Sequence, residues 1–178
     1  MKSMINIQSY IQPVLYILNQ AKMPLDTHKI SKILYFADRE HLAKYGNSIT
    51  KDTYIAMKYG PVPSHIYDII KFVLGSSDIF ANESLNDYFE KSSENKILSK
   101  VTYDEDEFSE SEIECLDNSI QQYLDKSFMF LTNASHDLAW DCAIDTMDIL
   151  NIAKAGGANQ DMLNYIQEHN NLLNAKFH

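Results

Sequence analysis

The chain has 178 residues, 45% of them hydrophobic, and a net charge of −10, which fits one globular domain spanning 1–178 with a buried core. No apolar run approaches the roughly 18 residues of a membrane span, and Asn6, Gln8 and Ser9 interrupt any signal-peptide core, so a cytoplasmic protein is expected. The charge is lopsided, +4 over residues 1–75 and −14 over 76–178, which serves solubility and disfavours direct nucleic-acid binding, although the N-terminal part could meet an acidic partner.

Ile11, Val14, Leu15, Leu18 and Ala21 recur at helical spacing and predict a first helix. Pro13 is tolerable only near its start, where a missing N–H removes no intrahelical bond, and Pro24 ends it. Asp26 or Thr27 caps a second helix running to about Tyr45, closed by Gly46-Asn47. Its inner stripe is Ile30, Ile33, Leu34, Ala37, His41 and Tyr45, and His41 is expected to be a hydrogen-bonded interior histidine rather than a metal ligand. Thr53 to Tyr59 alternates with a period of two and reads as a short strand. Gly60-Pro61-Val62-Pro63 is then a rigid turn, and Ser64 caps a helix that buries Ile66, Ile69, Ile70 and Val73 and stops at Gly75.

Residues 76–95 are polar and turn-rich. Tyr88-Phe89 and Ile97–Tyr103 flank Ser92-Ser93-Glu94-Asn95 as a hairpin that, with the Thr53–Tyr59 strand, would make a small antiparallel sheet. The acidic run Asp104–Glu107 leads to Ser109 and Glu112 at capping-box spacing, a helix start rather than a metal or acid–base site. That helix points Ile113, Leu116, Ile120, Tyr123 and Leu124 inward. A shorter one follows over Ser127–Ala134, ending at SHDLAW with the only tryptophan. Thr146 opens another helix, stopped by Gly156-Gly157, and Asn159 caps the last, with Met162, Ile166, His169 and Leu173 inward. The expected class is mainly α (α+β), with six to seven helices and a small antiparallel β element.

The five glycines form neither a phosphate loop nor a G-x-S-x-G elbow. Ser135, His136 and Asp137 are adjacent in sequence, so their side chains do not face one another as a triad. Cys115 and Cys142 fit no zinc or redox spacing and sit among apolar neighbours, where both should be buried and inert. No catalytic residue, metal or cofactor is expected; the remote alternative is a hydrolase using His136 or His65.

Lys32–Tyr67 is the most informative stretch. It holds five tyrosines and the only arginine in the chain. Clustered tyrosines suit a protein-binding surface, although core packing with hydroxyls at the rim explains them as well. Asp38, Arg39 and Glu40 read as a solvated helix face, while one arginine among fourteen lysines points to a bidentate or stacked contact that lysine could not make.

KILYFADREHLAKYGNSIT, followed by DTYIAMKYGPVPSHIYDIIK, resembles the Panacea antitoxin domain, a family that also contains the SocA-like proteolytic adaptor and phage-associated proteins. The resemblance is strongest over 30–71 and continues more weakly over 97–175, at LSKVTYDEDEFSESEIECLDNSI and SHDLAW. It implies a helical protein of bacteria or their phages that neutralises a cognate toxin by direct binding, or, alternatively, an adaptor that delivers a bound protein to an ATP-dependent protease. The toxins paired with such domains are unrelated to one another, so the resemblance names no target; the adjacent gene is the expected source of one, and self-association stays open. The family's motif residues map onto Tyr35, Asp38, Arg39, Tyr59, His65, Tyr67, His136 and Trp140 as partner-binding positions, with Gly60, Pro61 and Pro63 as fold-forming ones. Longer members carry an additional N-terminal DNA-binding region without a counterpart in these residues, so autonomous repression of an operon is not expected.

Overall fold

One helix organises the structure. In the computed structural model, which describes residues 6–79 and 84–176 (the last four by backbone only), every residue from Ile30 to Asp38 is buried. These belong to α2 (Thr27–Tyr45), preceded by α1 (Gln8–Ala21) and the two-residue β1 (Leu25–Asp26). After it come β2 (Tyr54–Met57), β3 (Gly60–Pro63), α3 (Ser64–Val73), α4 (Leu85–Tyr88), β4 (Phe89–Ser93) and β5 (Lys96–Ser99). A 3-10 turn at Glu105–Glu107 leads into α5 (Glu110–Tyr123), α6 (Phe128–Ser135), α7 (Leu138–Asp141), α8 (Ile149–Ala155) and α9 (Gln160–Lys176). The mainly helical class with a small antiparallel element holds.

α2 separates two hydrophobic clusters. One packs Ile30, Ile33 and Leu34 with α1, α3, Phe89, Ile97 and Leu116; the other packs Tyr35, Phe36 and Leu42 with Tyr54, Leu131, Ile152 and Ile166. Each such large apolar side chain removed from water contributes about 1.5–3 kcal/mol, so a helix buried on all sides is the natural centre of the fold.

The helix ends follow local chemistry. The Asp26 carboxylate accepts from Lys29 N at 2.8 Å, and Gly46 closes α2 at φ +80°. Ser109 and Glu112 form the reciprocal capping box of α5, and Asn159 accepts from Met162 N at the start of α9. His41 is buried as expected, its ring bonded to Asn47 O and Ser111 Oγ.

Several expectations need correction. Pro13 is the sixth residue of α1, which begins at Gln8; it therefore does remove an intrahelical bond, and burial of its ring offsets the loss. Gly60–Pro63 is not a turn but a strand, paired antiparallel with β2 in the register Tyr54↔Pro63 to Met57↔Gly60. The turn is Lys58-Tyr59. Pro61 and Pro63 lie on its outer edge, where no ladder N–H is needed. Ser64 does not cap α3; Asp52 does so from before β2, accepting from His65 N and Ile66 N. The two hairpins do not share a sheet: β4–β5 is extended by β1, while β2 pairs on its far side with Thr146 through Ile55. Thr146 is thus a bridge residue, and Asp148 caps α8.

Tyr45 and His169 are exposed rather than inward, and so is Cys142, whereas Cys115 is buried and burial pushes its thiol up to about 12. The inward place expected for Leu173 lies outside the described side chains. Among the described residues no helix is long and apolar enough to cross a membrane.

Candidate functional site

The motif residues of Lys32–Tyr67 divide into an interior set and a surface set. Asp38 is wholly interior rather than part of a solvated face. Its carboxylate accepts from Ile49 N (2.6 Å), Thr50 N (3.1 Å), Thr50 Oγ1 (2.5 Å) and Tyr54 Oη (2.7 Å), fastening the 49–54 segment to α2. Burial pushes its pKa up and these donors pull it back.

Tyr35, also fully buried, donates to Asp137, and Arg39 Nη1 meets the same carboxylate at 2.8 Å. The guanidinium lies 4.8 Å over the Phe36 ring and 5.8 Å over Tyr35. The lone arginine thus makes a stacked contact, inside its own chain. Asp137 further caps α7 through Ala139 N and Trp140 N, so a single carboxylate gathers Tyr35, Arg39 and the start of α7. Beyond it, His136 stacks on Trp140 at 3.7 Å, and Trp140 Nε1 donates to Met57 O at 2.9 Å. Tyr35, Arg39, His136 and Trp140 are therefore brought together, and they brace the β2–β3 hairpin from behind.

His65 stands apart from them, stacked on Tyr10 and bonded through Nδ1 to Asp52. Ser135 Oγ donates to Thr132 O, and Asp137 is taken up by Tyr35 and Arg39, so Ser135-His136-Asp137 makes no triad. Among the described residues no three His, Cys, Asp or Glu side chains converge to hold a metal ion.

The surface set surrounds a groove of about 310 Å³ between α2, the hairpin tip and the start of α6, lined by His28, Ser31, Lys32, Met57, Tyr59, Gly60, Val62, Tyr67 and Phe128. Met57, Tyr59 and Phe128 stand 40–50% exposed at its rim. Tyr59 packs edge-on against Phe128, which stacks on His28 at 3.9 Å. Gly60 has φ +99°, and a Cβ there would press on Ser135 Oγ and come within 2.8 Å of Lys32 Cε. Only glycine fits this position.

The floor of the groove is polar. Lys32, 1% exposed, has one hydrogen bond among the described residues, Nζ to Pro61 O at 2.8 Å, and burial lowers its pKa to about 7. Ser31 Oγ is buried beside it, without a partner among the described residues. His28 bonds Thr132 Oγ1 at 3.0 Å, and burial, then the nearby Lys32 charge, lowers it to about 4.

Sequence reasoning missed Lys32, Ser31 and His28. The signal was present in Ile33-Leu34-Tyr35-Phe36-Ala37, five apolar residues in a row that mark a helix buried on every side, with the preceding lysine carried in by the same geometry.

The segment 30–141, more than half of the chain, matches the family model described as antitoxin SocA-like, Panacea domain. No curated protein and no solved structure matches the chain. The matched segment contains the buried Asp38 hub, the partly buried Asp137 hub, the hairpin and most of the groove. The chain belongs to the SocA-like antitoxin family with the Panacea domain.

Proposed function

We propose that this protein is an antitoxin that neutralises a cognate toxin by direct binding, through the face bearing Met57, Tyr59 and Phe128. The observation that carries this reading is the exposure of three large apolar side chains around one apolar groove within or beside the family segment. Apolar surface gathered in this way is what a protein partner covers, and aromatic residues at the centre of an interface supply most of its affinity. Tyr59 and Tyr67 contribute directly, and Trp140 holds the hairpin tip at the height at which it meets the partner. Tyr35, Asp38 and Arg39 act from within, fixing the elements that present that face. The whole chain works as one non-enzymatic binding domain in the cytoplasm.

Co-expression with the product of the adjacent reading frame tests this. Growth is rescued and the two proteins co-purify, while Tyr59→Ala combined with Phe128→Ala abolishes both without lowering the melting temperature. Failure to rescue or to form a complex with any neighbouring gene product sinks the reading. A shortened partner half-life, dependent on an ATP-dependent protease, assigns the same surface to an adaptor instead.

A further inference from the structure

Lys32 and Ser31 are an unusual floor for an apolar groove. An ammonium group has three hydrogens to donate, and Lys32 gives one to Pro61 O; among the described residues no carboxylate lies within ion-pair distance of it. The neighbouring Ser31 hydroxyl has no partner among the described residues, and both side chains are at most 1% exposed. Buried donors left unmatched are costly. The polar floor lacks what a carboxylate would bring: negative charge and acceptor oxygens. Above it, Val62, Met57 and Phe128 supply an apolar wall. A Cβ at Gly60 would lie 3.2 Å from Lys32 Nζ, so glycine keeps that side of the lysine free of a side chain.

We propose that this groove binds the C-terminal residue of the partner protein, its apolar side chain against Val62 and Phe128 and its α-carboxylate accepting from Lys32 Nζ and Ser31 Oγ. The assignment rests on the protein-binding reading above and deepens it. A chain end places a carboxylate and an apolar side chain on the same carbon, which matches a groove lined by both kinds of group. At about 310 Å³ the groove sits at the bottom of the ~300–1,000 Å³ range of ligand clefts, room for one or two residues rather than a folded element. A small free carboxylate would leave Tyr59 and Met57, 50% and 40% exposed, uncovered at the rim, whereas a polypeptide leaving the groove passes over them.

The test uses the full chain and short peptides ending in Leu, Ile, Val or Phe, each as free acid and as C-terminal amide, with octanoate and phenylbutyrate as small carboxylates. Binding is read from the methyl resonances of Met57 and Val62. The free acids bind about tenfold more tightly than the amides, as charge-assisted hydrogen bonds require. Lys32→Met brings acid and amide to within about twofold, and Ser31→Ala, which removes only an unpartnered hydroxyl, weakens the acid preference about threefold if Lys32→Met does not fold. Equal binding of acid and amide, or of an amidated peptide with an internal Glu, overturns the chain-end assignment. Octanoate binding as tightly as the peptides overturns it in favour of a small-molecule site, and no shifts at millimolar peptide overturn it altogether. Because no toxin is used, failure here leaves the co-expression result standing, and the two failures are told apart.

Discussion

Lys32 and Asp38 lie less than two turns apart on the same buried helix and are opposites in more than charge. Asp38 accepts four hydrogen bonds, from two amides, a threonine and a tyrosine. Among the described residues Lys32 makes one, to a carbonyl on an outer strand edge, beside a serine that makes none. A saturated buried charge specifies structure: each donor aimed at Asp38 fixes where the 49–54 segment lies. An unsaturated one that lines a groove contributes little to the fold, and it is the group that the carboxylate proposed above would satisfy. The difference separates what holds this domain together from what the proposed binding would use.

The sharpest way to break that contrast is Asp38→Ala. It strands four donors and should cost about 3–5 kcal/mol in urea unfolding; a loss below about 1 kcal/mol would contradict the role given to the network. Next is Gly60→Ala, where positive φ and the crowding of Ser135 and Lys32 combine to about 2–3 kcal/mol. Lys32→Met should be at least as stable as the parent at pH 7 in urea unfolding, because no longer burying an ammonium group outweighs the lost bond to Pro61. Its signature is in the pH dependence. With a folded pKa of about 7 against 10.5 for the ordinary group, the unfolded chain holds a proton that the folded chain has released, so parent stability rises between pH 7 and 10.5. The variant loses that slope. The smallest effect belongs to half-buried His28, lowered to about 4 from 6.5. As pH falls from 6.5 towards 4 the unfolded state takes up the proton first, and the melting temperature drops by a few degrees more in the parent than in His28→Gln.

What could be read from the sequence was what depends on near neighbours. The caps at Asp26, Ser109 with Glu112, and Asn159 involve residues three apart, and the structure keeps all of them. The apolar stripe of α3 is equally local. What was misread depends on distant ones. Gly60-Pro61-Val62-Pro63 has turn composition, yet becomes a strand because Tyr54–Met57 pairs with it and its prolines fall on the unpaired edge. Asp52 reaches α3 across the whole hairpin, so Ser64 looked like the better cap. In the site, the solitary arginine signalled its stacking correctly. Tyr35 and Asp38 could not be sorted from Tyr59 and Tyr67, because periodicity fails on a helix that is buried all round.

The hairpin also has a place in time. Its inner edge is completed by Thr146, and its tip is held by Trp140, whose indole bonds Met57 across 83 residues of chain. At ~5–20 residues per second a ribosome needs roughly 4–17 s to make that stretch. Until it does, the strand that carries the rim of the groove has an open edge. The nascent chain passes through a window in which proteases and aggregation compete with folding, and the hairpin's edge and tip are completed only once Trp140 and Thr146 have emerged.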